Sequence, residues 1–239
     1  MKKPLIIGNW KMNPGNLKEA EKLLGSLKPS KDAETVIAPP FPYLFLLKDS
    51  PFVSAAQNCY FKKEGAFTGE ISPSMLKSLG CKYVLVGHSE RREFFKENEK
   101  DISLKIEALK KEALIPVFCL GEKKEDRDEG NMVSVIKKQL RGGLEGISLK
   151  NIVIAYEPVW AIGTGNPCDI DTAFKMRLLI KKIIREMAGD EADRVSILYG
   201  GSVNGENYKK YLEEAGFDGL LIGGASLKAD QFQKIISYL

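Results

Sequence analysis

Eight times along this chain a short apolar run gives way to a loop and then to a segment of helical period. That alternation leaves few folds open. Apolar runs expected to form strands lie at 5–9, 35–38, 52–57, 83–87, 115–120, 152–155, 194–199 and 219–222. Between them the spacing predicts helices over 17–27, 43–48, from Ser72-Pro73 onward, 97–113, 132–140, 169–187, 206–215 and 229–238. In the first helix Leu17, Ala20, Leu23, Leu24 and Leu27 share one face. Ser72 suits a helix cap and Pro73 the first helical position. Pro116 sits near a strand start, where a missing donor matters least. Strands alternating with helices imply a parallel sheet with right-handed crossovers. Eight such units favour a closed (β/α)8 barrel over an open doubly wound sheet. The open sheet also lacks its usual support, since no Gly-x-Gly-x-x-Gly follows the first strand. Nothing resembling a linker divides the 239 residues, so a single domain over 1–239 is expected.

Composition narrows the partners. At 44% apolar and 28% charged, the chain reads as an ordinary globular protein. The run from Pro4 to Ile7 is too short for a secretion signal, and none approaches a membrane span. A cytoplasmic location is the expectation. Four widely spaced cysteines with one histidine exclude the usual zinc sites, and free buried thiols are expected. The net charge of +4 is scattered, with bases alternating with acids over 121–128, a stretch that reads as solvated surface. A nucleic-acid partner would need a concentrated stripe, so none is expected. A small anionic substrate agrees with the sign of the charge.

In such a barrel the loops after the strands build the active site. Three of them offer acid–base chemistry. Glu157 ends the sixth run, Pro158 holds it extended, and the apolar tip and glycines of 159–165 make a water-excluding flap. His88, the sole histidine, ends the fourth run; Asn9 and Lys11 follow the first. Each has a plainer reading: Glu157 as a helix cap or ion pair, His88 as a core histidine, Lys11 as a surface charge. After the seventh and eighth runs come Gly200-Gly201-Ser202 and Gly223-Gly224-Ala225-Ser226. Backbone amides at such turns bind phosphate dianions.

These motifs together resemble one family. Asn9-Trp10-Lys11-Met12-Asn13, Ala56-Gln57-Asn58, Gly65-Ala66-Phe67-Thr68-Gly69-Glu70 and Gly87-His88-Ser89-Glu90-Arg91-Arg92 are similar to the triosephosphate isomerases. So are residues 155–165, Tyr199-Gly200-Gly201-Ser202-Val203 and Gly223-Gly224-Ala225-Ser226-Leu227, in chain order. The resemblance implies a TIM barrel that interconverts dihydroxyacetone phosphate and D-glyceraldehyde 3-phosphate, in glycolysis and gluconeogenesis, without cofactor or metal. It implies that Glu157 moves a proton between adjacent carbons and that neutral His88 polarises the carbonyl and shuttles protons between the oxygens. It further implies that Lys11 supplies fixed positive charge, that Asn9 holds Lys11 or a substrate oxygen, and that Glu90 organises Lys11 or the Ser89 turn. Gly163, Ser202, Gly223 and Gly224 would bind the phosphate. Thr68 would reach a neighbouring subunit's site, making a homodimer. One departure is local: the flap's far hinge reads Asn166-Pro167-Cys168, where Pro167 fixes φ and is expected to restrict hinge motion. Three rivals stay open: a glycosidase pairing Glu122 with Glu157, a Schiff-base aldolase using Lys11, and a phosphometabolite-binding protein without catalysis.

Overall fold

Strands buried on both faces read as continuous apolar runs, because no face meets water. The computed structural model of the protein describes residues 3–163 and 167–237. Its eight strands are β1 (Leu5–Asn9), β2 (Glu34–Ala38), β3 (Val53–Ala56), β4 (Tyr83–Val86), β5 (Ile115–Leu120), β6 (Val153–Tyr156), β7 (Ser196–Tyr199) and β8 (Gly219–Ile222). They pair in parallel in chain order, and β8 closes on β1 with Leu5 opposite Gly219. The helices packed outside are α1 (Leu17–Gly25), α2 (Pro73–Ser78), α3 (Ser89–Phe94), α4 (Glu99–Lys111), α5 (Lys124–Asp128), α6 (Met132–Leu144), α7 (Ile170–Ala188), α8 (Tyr208–Glu213) and α9 (Ala229–Ser237). The chain is thus a closed (β/α)8 barrel, the fold its alternation favours.

Period two divides the core. Leu5, Ile7, Leu85, Val117, Cys119, Val153 and Ala155 point into the barrel. Their neighbours Ile6, Val84, Val86, Phe118, Ile154 and Tyr156 point outward beneath the helices. Helix starts are capped as their sequence suggests: Ser72 Oγ accepts the Met75 N–H at 3.3 Å, with Pro73 following. Asp169 Oδ1 accepts the Thr172 N–H at 2.9 Å at the head of α7.

Three segments differ from the sequence reading. The helix expected over 97–113 begins only at Glu99, and a separate short helix, α3, precedes it. Lys96 has a left-handed φ of 56°, which breaks the path, and Asn98 caps the new start by accepting the Asp101 N–H at 3.1 Å. Glu97 instead turns inward, where it meets Lys105 Nζ at 2.6 Å and Arg91 Nε at 2.8 Å. The helix expected at 43–48 is a tighter 3-10 turn, Phe41–Leu47, entered through Pro40 and Pro42. The stretch 121–128 is not all solvated surface. Lys124–Asp128 forms one exposed helical turn, but Glu122 is fully buried.

No helix among the described residues is long and apolar enough to cross a membrane. All four cysteines are free and buried. Burial pushes the Cys59 and Cys168 thiols up to about 12, and Cys119 well above its ordinary value. The thiolate is the reactive form. A disulfide thiol reagent at pH 8 should therefore release almost no chromophore from the folded protein and four equivalents after denaturation. Rapid reaction of a native thiol would show that the packing over it opens.

Candidate active site

The strand columns deliver side chains to the barrel mouth at their C-terminal ends. Val153 and Ala155 face inward on β6, so Glu157, two residues on, continues their column. Asn9 likewise continues Leu5 and Ile7 on β1. Both are almost wholly buried. The β6 end is held by its neighbours: the Glu157 N–H donates to Leu120 O at 2.8 Å, and Gly121 lies against the Glu157 carbonyl. A Cβ on Gly121 would fall 1.7 Å from that oxygen, so this approach requires glycine.

His88 has the wrong parity for the mouth. Tyr83 and Leu85 face inward on β4, which sends residue 88 outward if the strand runs on. Gly87 breaks the alternation with a left-handed φ of 71°, and the imidazole swings over the mouth. There its Nε2 lies 3.0 Å from Glu157 Oε1. His88 also caps α3, its Nδ1 accepting the Glu90 N–H at 3.3 Å. An imidazole that accepts at Nδ1 carries its proton on Nε2, pointing at Glu157. The second carboxylate oxygen, Oε2, accepts the Ser89 N–H at 3.0 Å.

Lys11 is held in a left-handed backbone, φ 52°, by Asn9 Oδ1, which accepts its N–H at 3.1 Å, and by Gln57, whose Nε2 donates to Lys11 O at 2.8 Å. The Lys11 ammonium reaches Glu90 Oε1 at 2.5 Å. Its stem passes 3.2 Å from where a side chain on Gly223 would begin. Glu90 thus organises Lys11, and the charge is drawn towards the glycine turn after β8. Ser202 Oγ donates to Ala161 O at 2.8 Å, tying the β7 turn to the start of the flap.

Asn9, Lys11, His88, Glu157, Gly163, Ser202, Gly223 and Gly224 all line one cleft of about 570 Å³, and Pro167 lines it too. Thr164, Gly165 and Asn166, including the first residue of the expected hinge, lie outside the described residues. Thr68 is exposed on the loop after β3, away from this cleft's lining.

Two influences compete at each member of the buried pair. Burial raises Glu157, but the facing imidazole, the Ser89 amide and Lys11 outweigh it and hold the carboxyl below its ordinary value. Burial lowers His88, and the Glu157 carboxylate outweighs that, lifting it above its ordinary value. The carboxylate is therefore ionised at neutral pH.

One supporting residue, Gln139, escaped the sequence reading, and another, Glu122, was read there only as a rival enzyme's second carboxylate. Gln139 on α6 clasps Gly121 from both sides, accepting its N–H at 2.9 Å and donating to its oxygen at 3.0 Å. Its signal was present: Gln139 shares the apolar face of α6 with Ile136, Leu140 and Gly143. Glu122 takes donors from Tyr156, Trp160 and Arg127, each at 3.0 Å, on Oε1. It is buried beneath the flap and does not line the cleft, so the carboxylate pair that a glycosidase needs is not formed. Among the described residues no group of three metal-ligating side chains gathers anywhere.

Comparison with known proteins points to one family. Residues 4–239 match the family model described as triosephosphate isomerase. The chain is 46% identical to a triosephosphate isomerase of Dictyoglomus thermophilum over 99% of both chains. It is 44% identical to that of Carboxydothermus hydrogenoformans over 99% of this chain and 98% of the relative. The triosephosphate isomerase of Fusobacterium nucleatum is 44% identical with the same coverage. An eight-stranded parallel barrel matched along nearly its whole length by one family, the chain belongs to the triosephosphate isomerases, enzymes that interconvert an aldose and a ketose phosphate.

Proposed function

We infer that in this chain the family's reaction, dihydroxyacetone phosphate to D-glyceraldehyde 3-phosphate and back, runs through Glu157, His88 and Lys11. The observation that carries the reading is that these three share one cleft with Asn9 and the glycine turns after β7 and β8. The reaction moves protons and changes no overall oxidation state, so it calls for no redox cofactor.

Glu157 takes a proton from one carbon and returns it to the next. Its depressed pKa keeps it ionised, and its hydrogen bonds to His88 and Ser89 are the ones substrate must displace. His88 donates from Nε2 to the substrate oxygens. Once substrate separates it from Glu157, the largest influence raising its pKa is gone and only the Glu90 carboxylate still acts in that direction. Burial, the Lys11 charge and the Glu90 N–H at Nδ1 oppose it and favour the neutral ring. A neutral imidazole is a weak acid suited to an enediol. Lys11, steadied by Asn9 and Glu90, places positive charge where the enediolate and phosphate carry negative charge. Amides at Gly163, Ser202, Gly223 and Gly224 receive the phosphate. Gripping that unreactive group draws the flap over the site, excluding water from the intermediate. Neither rival use of the site finds support: the Lys11 nitrogen is taken up by Glu90, and base and electrophile are both present.

The eight units close on one another without a linker, which supports one domain over 1–239. A homodimer is the proposed assembly. The loop carrying Thr68 is closed at its base by Tyr60 N–H to Ile71 O at 2.8 Å and projects as a formed structure. Large apolar side chains are exposed on segments following β1, β3 and β4: Met12, Phe67, Phe94 and Phe95. Free buried thiols agree with a cytoplasmic location.

Shortening the base by one methylene in Glu157→Asp should draw it back by roughly 1 Å and lower kcat on the order of 10²-fold in a coupled assay with glyceraldehyde 3-phosphate. Full activity in that variant removes Glu157 from the role. His88→Gln should lower kcat with KM little changed, whereas an unaltered kcat makes His88 structural. By sedimentation the chain should be a dimer at micromolar concentration and Thr68→Arg should weaken it together with activity. A fully active monomer overturns the assembly.

A further inference from the structure

We propose that Arg92 is the positioning residue that sets where the His88 imidazole stands, by clamping the left-handed turn at Gly87 to the end of the neighbouring strand. The role of this clamp in turnover rests on His88 being the electrophile; its effect on the ring's geometry does not.

His88 reaches the mouth only because Gly87 reverses the parity of β4. A single backbone turn therefore decides the direction of the ring, and something must hold that turn. The β4–β5 pairing ends at Val86 and Phe118, one residue before Gly87. Arg92 takes over where the ladder stops. Its Nε donates to Gly87 O at 2.8 Å, and its Nη2 reaches towards Cys119 O, the next residue of β5, at 3.4 Å. The two strand ends are thus joined through one guanidinium. Glu99, at the start of α4, fixes the third edge, accepting from Nη1 at 2.9 Å. The guanidinium plane lies near the Phe118 ring, and its side chain is mostly buried. Space is filled as well as hydrogen bonds. A Cβ at Gly87 would meet Ile102 Cδ1 at 2.8 Å, with Arg92 Nη2 and Cys119 O both at 3.1 Å.

The chemistry needs arginine. A planar fork with donors on separate edges can satisfy two carbonyls and a carboxylate at once, which a lysine ammonium on a flexible stem cannot do in the same plane. Arg92 also lies on α3, the helix His88 caps, so the clamp fixes both sides of the ring: Gly87 before it and α3 after it. Arg92 does not line the cleft, so it acts through His88 rather than on substrate.

The sole histidine makes the test direct, because every imidazole nitrogen signal from the protein belongs to His88. In Arg92→Ala the 15N resonances of the ring should shift in the substrate-free protein. The same variant should lose at least 10-fold in kcat with KM within about twofold, the pattern of an interaction felt in the transition state. Added methylguanidinium should return both the resonances and kcat towards wild type. Glu99→Gln, which keeps Arg92 but loosens it, should move both in the same direction by less, and serves if Arg92→Ala does not fold. A folded Arg92→Ala whose ring resonances are unmoved overturns the proposal. Shifted resonances with unchanged kcat overturn the catalytic half. If His88→Gln is then fully active, the fault lies with the role given to His88; if it is impaired, the fault lies with the clamp.

Discussion

The alternation of side chains along strands buried on both faces sets everything at the mouth of this barrel. Because the period is two, each residue of a strand is committed either to the interior or to the layer beneath the helices. Columns that begin as Leu5-Ile7 and Val153-Ala155 run on into Asn9 and Glu157. A carboxylate at the top of such a column is carried by a rigid element and desolvated by it. The stiffness of the barrel thus becomes the stiffness of the site. The exception, His88, depends on one residue, Gly87, that leaves the period.

Desolvation alone would work against an ionised Glu157. A lone carboxylate buried as deeply as Glu157 would tend to neutralise. Three groups prevent it: the imidazole, the Ser89 amide and the Lys11 ammonium. All three are anchored in turn, His88 and Ser89 at the start of α3 and Lys11 by Asn9, Gln57 and Glu90. The network holds Glu157 in its ionised form against the His88 imidazole, the arrangement that the proposed reaction would start from.

Much of this was legible beforehand because local chemistry and global fold agree. The apolar runs marked all eight strands, and glycine pairs after the last two marked turns that line the cleft. The misreadings have local causes. Residues 97–113 look helical throughout, yet Glu97 is worth more as a buried acceptor for Lys105 and Arg91 than as a first helical turn. The charges over 121–128 hide Glu122, whose burial depends on donors from Tyr156 and Trp160, more than thirty residues away. Gln139 stood on an apolar helix face, but its partner, Gly121, belongs to another element.

By itself the sequence determined the barrel, its strand order and the residue types at each strand end, since hydrophobic period and turn chemistry are properties of adjacent residues. Only the tertiary structure decided which way those residues face and what holds them. The reversal at Gly87, the pairing of Lys11 with Glu90 and the approach of His88 to Glu157 join segments far apart in the chain. Their energies come from contacts that do not exist until β8 has closed on β1 and the strand ends share one mouth.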